Sequence, residues 1–403
     1  MRLIFLNRYF YPDHSATSQM LSDLAFFLVS AGHTVSVITS GQQYDEASAR
    51  LPAFEVIQKV AVHRVRTTRF GRSNLIGRAA DYASFYITAG WRLWWLARAG
   101  DVIVAKTDPP LIMVVAAAMA RARGARLVNW MQDVFPEAAE ALGVGALAGP
   151  QGRLLRALRN RAMHYAAINV ALGERMAAVL VQQGVPPQRI CVIPNWADKE
   201  AIVPLAAGDN PLRQAWGLAG KLVVCYSGNM GRAHEFDTML DAAERLAVTA
   251  AEIRFVFIGA GAQLRRVQHA AARRALSNVQ FRPYQARAGL SLSLGVGDIH
   301  LVSQRPEVEG YVFPSKLYGI FAAGRPLVFI GAPDGEISRL VEREGVGVAA
   351  SQGDAAGLAG QLMRLAGDAV LREAMGQRAR ALLCTRYDKS IALKAWQDLL
   401  AHL

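Results

Sequence analysis

The stretch that decides the fold is KLVVCYSGNMGRAHEFDTML, residues 221–240. It opens with a strand over 221–229, passes through a tight loop and enters a helical pattern at about Glu235. A strand, a short loop and a helix form the repeating unit of a doubly wound parallel sheet. Because this unit stands just past the middle of the chain, it predicts that a second sheet begins here.

The same alternation runs through the rest of the sequence. Apolar runs predict strands at 2–7, 34–39, 101–106, 126–131 and 166–171 in the first half, and at 253–261, 279–284, 298–303 and 326–332 in the second. The first helix is expected to end at Gly32. A segment rich in Pro, Asn and Asp after Ile193 is typical of a linker region.

These patterns predict two α/β domains, each a Rossmann-like doubly wound sheet, that face each other across a cleft. The N-terminal domain is expected over 1–200 and the C-terminal domain over 201–387. A helix at 388–403 has an apolar face, and we expect it to pack back on the N-terminal domain.

Composition places the chain among well-packed globular proteins. At 403 residues it is too long for one core, and 52% hydrophobic with 19% charged residues leaves no long disordered tail. Its three cysteines, Cys191, Cys225 and Cys384, have no metal or disulfide spacing and favour a reducing cytoplasm. The start of the chain predicts a first strand instead of a signal peptide.

The net charge of +13 is concentrated between residues 50 and 126. Segment 66–98 there combines arginines with the aromatic residues Tyr82, Phe85, Tyr86, Trp91, Trp94 and Trp95. Asp81 and Arg92 within it argue against a membrane span. Two interpretations stay open: a helix at an anionic membrane surface, or an ordinary helix whose aromatics are core. No nucleic-acid-binding motif is present, so a nucleic-acid partner is not expected.

Ligands of doubly wound sheets bind beyond the carboxyl ends of the strands, so anion-binding groups are expected in the loops there. Asn229 and Arg232 follow one strand, Arg305 follows another, and Lys316 opens a short helix. Each has an ordinary explanation alone, but together they favour a nucleotide-diphosphate site. In the first half, helix amides after Ser15 are equally consistent with an anion site or with simple capping.

Seven segments in a fixed order carry a resemblance to a known family. They are AGHTVSVITS (31–40), WMQDVFPEAAEALGV (130–144), VIPNWAD (192–198), YSGNMGRAHEFDTML (226–240), FIGAG (257–261), VQFRPYQ (279–285) and EGYVFPSKLYGIFAAGRP (309–326). The chain resembles the retaining GT-B glycosyltransferases of glycosyltransferase family 4. It is most similar to the branch that builds bacterial O-antigen and colanic-acid-type polysaccharides, which includes N-acetylfucosaminyl transferases.

The resemblance implies a nucleotide-sugar donor, UDP-linked, held mainly by the C-terminal domain, and a lipid-pyrophosphate-linked sugar acceptor held mainly by the N-terminal domain. It implies that neither a metal nor another cofactor is needed. It also implies catalytic roles for Asp133, Arg232 and Lys316. Glu137 follows Asp133 by one turn, and capping of the following helix is the alternative role for Asp133. The donor-binding residues expected from it and from the loops are Ser15, Ala16, Gly228, Asn229, Gly231, Gly259, Gly261, Arg305, Glu309, Gly310, Pro314, Ser315 and Leu317.

One departure from the family pattern concerns its acidic pair. Tyr311 and Gly319 stand where many members carry two glutamates, the later one near the nucleotide ribose. Two other functions therefore stay open: a catalytically degenerate nucleotide-sugar-binding protein of the same fold, and a two-domain nucleotide-sugar epimerase. The histidines form no cluster in sequence of the kind that an epimerase needs.

The basic N-terminal half predicts a cytoplasmic protein held peripherally on the inner face of the bacterial inner membrane. Salt-sensitive binding to anionic vesicles is expected, and it should weaken when Arg69, Arg72 and Arg78 are neutralised.

Overall fold

The computed structural model describes residues 1–43, 51–70, 75–144, 149–286 and 289–403. Their contacts divide the chain into two compact units. The N-terminal unit contains Met1–Pro194, Gly310–Phe313 and Leu393–Leu403, and the C-terminal unit contains Asn195–Glu309 and Pro314–Ala392. Arg72 lies outside the described residues.

The described part of the N-terminal unit is built on an eight-stranded sheet in the order β3-β4-β2-β1-β5-β6-β7-β8. Its strands are β1 (Arg2–Leu6), β2 (Thr34–Ser40), β3 (Phe54–Ile57), β4 (Val60–Val65), β5 (Val102–Lys106), β6 (Arg126–Trp130), β7 (Ile168–Ala171) and β8 (Ile190–Val192). All neighbours pair in parallel except the β3–β4 hairpin. Strand β5 is buried throughout, and its residues are apolar except for Lys106 at its carboxyl end.

Six described helices accompany this sheet: α1 (Ala16–Ser30), α2 (Leu75–Leu96), α3 (Ile112–Arg123), α4 (Glu137–Ala141), α5 (Pro150–Tyr165) and α6 (Glu174–Gln182). Helix α1 ends just before Gly32, whose φ of +87° is the left-handed conformation that glycine adopts without strain. The predicted end of this helix is therefore confirmed.

The C-terminal unit holds a fully parallel six-stranded sheet in the order β11-β10-β9-β12-β13-β14. Its strands are β9 (Leu222–Ser227), β10 (Ile253–Ile258), β11 (Val279–Arg282), β12 (Ile299–Ser303), β13 (Leu327–Gly331) and β14 (Gly347–Ser351). Its described α-helices are α7 (Pro211–Ala215), α8 (Asp237–Thr249), α9 (Leu264–Arg273), α10 (Leu290–Gly295), α11 (Lys316–Ala322), α12 (Glu336–Arg343), α13 (Ala355–Gly367) and α14 (Ala369–Leu382). The strand order reverses between β9 and β12, as in a Rossmann sheet.

The last helix, α15 (Lys389–Ala401), ends in the N-terminal unit. The Trp396 ring packs against the Trp130 ring of β6 with 4.7 Å between centroids. Arg126 donates a hydrogen bond to the carbonyl oxygen of Leu403. The terminal helix therefore packs back on the N-terminal domain, as expected.

The fold class predicted from the sequence, two Rossmann-like α/β domains, is confirmed. The β3–β4 hairpin, β8 and β14 were missed. In β4, buried His63 and Arg64 interrupt the apolar pattern, and β14 is built from small residues that carry little strand signal. Burial of these strands is decided by neighbouring elements, which the local sequence does not reveal.

Candidate functional site

The carboxyl ends of β9 and β12 lie side by side at the reversal of strand order, which is where ligands of such sheets bind. The loop after β9 runs from Gly228 to Phe236, and the chain after β12 reaches Lys316 at the start of α11. Lys316 belongs to the C-terminal unit, as do the residues of the β9 loop. The topology therefore brings this lysine to the loop that the sequence singled out.

The Lys316 amine is surrounded by neutral acceptors. Nζ donates to the hydroxyl of Tyr226, lies 3.3 Å from Nε2 of His234 and 3.5 Å from the carbonyl oxygen of Asn229. No carboxylate of the described residues pairs with it. Desolvation lowers its pKa well below the ordinary lysine value, although the side chain keeps partial access to solvent. The amine therefore lacks a counter-ion, which a bound anion would supply.

His234 fixes the position of this amine. Its Nδ1 lies 2.5 Å from the carbonyl oxygen of Ser303, an acceptor only, so Nδ1 carries the proton and Nε2 is free to accept from Lys316. Desolvation and the Lys316 charge lower the pKa of His234 to about 3. The imidazole is therefore neutral at physiological pH, as its acceptor role requires.

The glycines of the two loops allow close backbone approach. A Cβ at Gly259 would stand 2.1 Å from the carbonyl oxygen of Gly228, and one at Gly261 would stand 2.7 Å from the backbone of Met230. Both glycines have a φ of +143°. Their first role is therefore to let the loop after β10 lie against the loop after β9.

Helix α8 begins at Asp237, two residues later than predicted, and its first turn is already capped. The carboxylate of Glu235 accepts a hydrogen bond from the amide of Thr238 at 3.0 Å. Glu235 is 8% exposed. A buried carboxylate therefore lies at the positive end of this helix and satisfies one of its free amides.

Two predicted site residues of the loop after β9 are exposed, the catalytic candidate Arg232 and the donor-binding candidate Asn229. Arg232 is exposed, and its guanidinium makes no ion pair or hydrogen bond within the described ranges. Asn229 is exposed as well, and Gly231 lies beside it. Arg305 differs, since its Nε lies 3.7 Å from the carboxylate of Glu307.

The predicted donor-binding residues before α11 and in its first turn differ in burial and in the residues that they contact. The Glu309 carboxylate accepts a hydrogen bond from the amide of Glu336 at 2.7 Å, at the start of α12. Gly310 belongs to the N-terminal unit, where Val179 is a close neighbour. Pro314 and Leu317 are buried. The Ser315 side chain makes no cap hydrogen bond to α11.

The two positions that depart from the family pattern lie in different units. Gly319 is on α11 in the C-terminal unit, and a Cβ there would meet the side chain of Leu294 at 3.3 Å. Tyr311 belongs to the N-terminal unit, where its carbonyl oxygen accepts a hydrogen bond from the amide of Val134 at 2.8 Å. Neither position carries an acidic side chain.

Asp133, in the N-terminal unit, follows β6 and forms an antiparallel bridge with Val312. Desolvation and then the Asp108 charge raise the pKa of Asp133 to about 6. Both causes act in the same direction, and desolvation is the larger of the two. Asp133 does not cap α4, which begins at Glu137, and Glu137 is a buried ion-pair partner of Arg159.

A second polar cluster in the same unit follows β5. Thr17 on α1 donates to the Asp108 carboxylate at 3.0 Å, and the buried Lys106 amine donates to the Thr17 carbonyl oxygen at 2.9 Å. Nζ of Lys106 lies 3.6 Å from the centre of the Trp130 ring. Burial lowers the pKa of Lys106 well below its ordinary value, while Asp108 opposes the shift. The hydrogen bond from Thr17 therefore holds the Asp108 carboxylate in place, and the charge of this carboxylate contributes to the raised pKa of Asp133.

Ser15 and Ala16 lie at the start of α1 in the N-terminal unit, close in sequence to Thr17. The Ser15 side chain makes no cap hydrogen bond, so the capping interpretation of this residue is wrong. Its hydroxyl oxygen is buried without a hydrogen-bond partner. A buried hydroxyl without a hydrogen-bond partner costs free energy of folding unless a ligand or water supplies the missing hydrogen bond.

Sequence reasoning missed Tyr226, His234, Glu235, Lys106 and Asp108. Asp108 could have been found, because it follows a buried strand at the carboxyl edge. His234 stands in the quoted loop but gives no signal of its own, since its role depends on Lys316, far away in the chain. No group of three or more His, Cys, Asp or Glu in the described ranges could hold a metal ion, and metal-free chemistry remains a prediction.

Comparison with known families accounts for both domains. Residues 16–196 match the model for the glycosyl transferase 4-like domain, and residues 221–368 match that for glycosyl transferases group 1. The probable glycosyltransferase WbjE of Pseudomonas aeruginosa is 29% identical over 284 residues, covering 69% of this chain and 70% of that protein. The putative colanic acid biosynthesis glycosyl transferase WcaI of Escherichia coli K12 is 24% identical, covering 85% and 86%.

Solved structures share the whole fold. Anabaena Alr3699/HepE in complex with UDP and glucose superposes with a TM-score of 0.75 at 18% identity over 100% of both chains. WaaG, a glycosyltransferase involved in lipopolysaccharide biosynthesis, superposes with a TM-score of 0.71 at 15% identity over 98% of both. The two family matches assign residues 16–196 to the glycosyl transferase 4-like domains and residues 221–368 to the glycosyl transferases group 1, and the superpositions show the GT-B fold.

Proposed function

We propose that this glycosyltransferase moves a sugar from a UDP-linked donor to a lipid-linked saccharide during cell-surface polysaccharide synthesis, with retention and without a metal. The observation that carries the proposal is the Lys316 amine, which has neutral acceptors and no carboxylate partner among the described residues. The UDP bound to Alr3699/HepE supports the choice of nucleotide, and the names of WbjE and WcaI support the pathway class. An N-acetylated deoxyhexosamine is the proposed sugar.

The chemical step breaks the bond between the sugar and the diphosphate oxygen. Negative charge then grows on the departing diphosphate, and Lys316 and Arg232 stabilise it. Because Tyr226 and His234 hold the Lys316 amine before the reaction, little reorganisation of this group is needed in the transition state. The acceptor hydroxyl attacks from the face that the diphosphate leaves, and its proton passes to the departing diphosphate oxygen as the new bond forms.

Asp133 is proposed to act in its ionised form. A carboxylate stabilises the positive charge that develops on the sugar ring as the diphosphate departs. Desolvation and the charge of the Asp108 carboxylate, which Thr17 fixes, raise the pKa of Asp133, so its charge changes near pH 6. The acceptor is proposed to bind the N-terminal unit and the donor the C-terminal unit.

The test incubates purified protein with a panel of nucleotide-sugars, with and without a lipid-pyrophosphate-sugar acceptor. Release of UDP that depends on the acceptor supports the transferase. Donor binding without release supports the degenerate function that Tyr311 and Gly319 favour. Interconversion of nucleotide-sugars without acceptor identifies an epimerase and overturns the proposal.

We also propose that the protein works on the inner face of the bacterial inner membrane, where a lipid-linked acceptor would be met. In the part of the chain that the structure describes, no helix is long and apolar enough to cross a membrane. Association would then depend on a surface of the protein.

A further inference from the structure

Helix α2 has two unlike faces. The face against the protein core carries Phe85, Ala89 and Leu93, each 0% exposed. The opposite face carries Ile87, Trp91, Trp94 and Trp95, which are 73%, 67%, 37% and 66% exposed. Since these four positions recur at helical spacing, they form one continuous row, here called the aromatic stripe.

The stripe is displayed on a fixed element. Thr68 and the amide of Phe70 both donate to the buried carboxylate of Asp81 on α2, at 2.8 and 3.0 Å. Trp91 and Trp95 pack edge to face with their ring centres 5.8 Å apart. Large apolar side chains kept in water on a rigid surface mark an interaction site.

Arginines border the stripe. Arg98 follows it by one turn, and α3 ends beside it with Arg121 and Arg123 in its last turn. The Arg123 guanidinium lies 5.2 Å from the centre of the Trp94 ring. The amide of Gly100 donates to the carbonyl oxygen of Gly124 at 3.0 Å, which joins the ends of the two helices.

Acidic groups do not offset this charge. Asp81 is the single acidic residue in α2 and α3, and it is 1% exposed and lies 3.5 Å from Arg8. Asp101, just after α2, is 4% exposed and pairs with Arg2 at 3.2 Å. The surface that α2 and the end of α3 present to solvent is therefore aromatic and positive.

We propose that the aromatic stripe and its bordering arginines are a docking surface for an anionic lipid bilayer. Tryptophan rings settle at the level of lipid headgroups, and arginines pair with lipid phosphates there. A helix that is buried on one side and apolar with basic borders on the other lies in the plane of such an interface. A second copy of the chain fits less well, because Arg98 and Arg121 would face like charges.

This surface differs from the one expected from the sequence. Phe85 is core, so only part of the aromatic set faces solvent. The exposed tryptophans, with Arg98 and Arg121, take the place of Arg69, Arg72 and Arg78 as the groups to test. The inference rests on the proposed function in one respect, because docking serves an acceptor that is lipid-linked.

The experiment measures sedimentation of the full chain with vesicles of phosphatidylcholine alone or mixed with phosphatidylglycerol. Trp91→Ser/Trp95→Ser is expected to weaken binding to the mixed vesicles about tenfold or more, because the anchoring rings are lost. Arg98→Gln/Arg121→Gln should remove most of the preference for anionic lipid and most of the sensitivity to salt. Wild-type tryptophan fluorescence should shift to the blue on binding.

Matched controls come from the C-terminal unit. Val248→Ser/Val370→Ser removes two apolar side chains that are 88% and 79% exposed, and Arg265→Gln/Arg273→Gln removes two exposed arginines. Both controls should bind vesicles like the wild type. Because all altered residues are exposed, UDP binding and thermal unfolding should stay unchanged in every variant.

Two results would overturn the docking surface: no binding of the wild type to mixed vesicles, or equal binding of the wild type and both stripe variants. Self-association that the tryptophan changes abolish, without vesicle binding, would assign the face to a second copy instead. UDP release with a detergent-dissolved acceptor is measured in parallel. If the wild type releases UDP but does not bind vesicles, the docking surface is ruled out and the proposed function stands. If it binds vesicles but does not release UDP, the proposed function is ruled out and the docking surface stands.

Discussion

At the scale of single residues, the Lys316 amine has no negatively charged partner among the described residues. Its partners Tyr226, His234 and Asn229 accept hydrogen bonds but carry no negative charge. Desolvation lowers its pKa, and a nearby diphosphate would raise it again. Binding of the nucleotide should therefore be coupled to protonation of Lys316, and the loss of the amine should be felt most in the transition state.

Lys316→Ala is expected to lower the transfer rate about 10²–10³-fold, as the removal of one preorganised charge donor does. Arg232→Ala should act in the same direction, since its exposed guanidinium has no protein partner among the described residues. Steady-state kinetics with saturating donor measures the effect, and thermal unfolding measures stability, which should change little. Lys221→Ala, on the same unit, is the control. Wild-type turnover in both variants would remove these residues from the site.

Asp133 gives the reaction a pH dependence. Its pKa is raised from 3.8 to about 6, so the carboxylate gains its charge as the pH rises through about 6. The transfer rate should fall as the pH drops through about 6, and Asp133→Asn should be slow at every pH and lack this limb. A rate profile from pH 5 to 8 tests it, and an unchanged limb in the variant would assign the titration to another group.

The same shift affects stability in the opposite sense to that of an ordinary ion-paired aspartate. Because the folded state holds the Asp133 proton more tightly than the unfolded chain, its contribution to stability declines as the pH rises from 3.8 to about 6. Unfolding of Asp133→Asn should not show this decline.

At the scale of elements, the loops after β9 and β10 are fitted to one another through glycine. Gly259 and Gly261 stand where any side chain would overlap backbone atoms of the neighbouring loop. The amide of Met230 donates to the carbonyl oxygen of Ala260 at 2.7 Å across the same contact. The shape of the proposed diphosphate loop is therefore set by its neighbour as well as by its own sequence.

Gly259→Ala is expected to destabilise the C-terminal unit by about 2 kcal/mol or more, since a Cβ would meet the Gly228 carbonyl oxygen and the backbone is left-handed. UDP affinity should fall with it. Urea unfolding and UDP titration measure the two effects. Gly360→Ala on α13 is the control: a Cβ there meets nothing within 4 Å, and stability should hold or rise slightly. Equal behaviour of the two variants would contradict the packing argument.

At the scale of the whole molecule, the chain passes between its two units more than once. Residues 310–313 and the end of α15 belong with the N-terminal unit although they follow the C-terminal sheet in sequence. Trp396 is 0% exposed and completes the core around Trp130. The N-terminal domain therefore depends on the last residues of the chain.

Trp396→Ala is expected to cost about 3–5 kcal/mol of unfolding free energy, the usual loss for a large buried aromatic ring. Lys394→Ala on the same helix is the control, because its exposed pair with Asp398 contributes less than about 1 kcal/mol. Denaturant unfolding compares the two. A small loss in Trp396→Ala would mean that the helix end does not support the N-terminal core.

The amino-acid sequence determined the two-sheet architecture, the end of α1, the return of the terminal helix and the place of Lys316 at the start of a short helix. These features depend on local periodicity and on residue types that are visible one after another along the chain. The partners of Lys316, the Asp108–Asp133 pair, the capping by Glu235 and the outward face of the tryptophans were decided by tertiary structure. Each depends on which distant residues meet, and burial and charge at such contacts are properties of the folded chain alone.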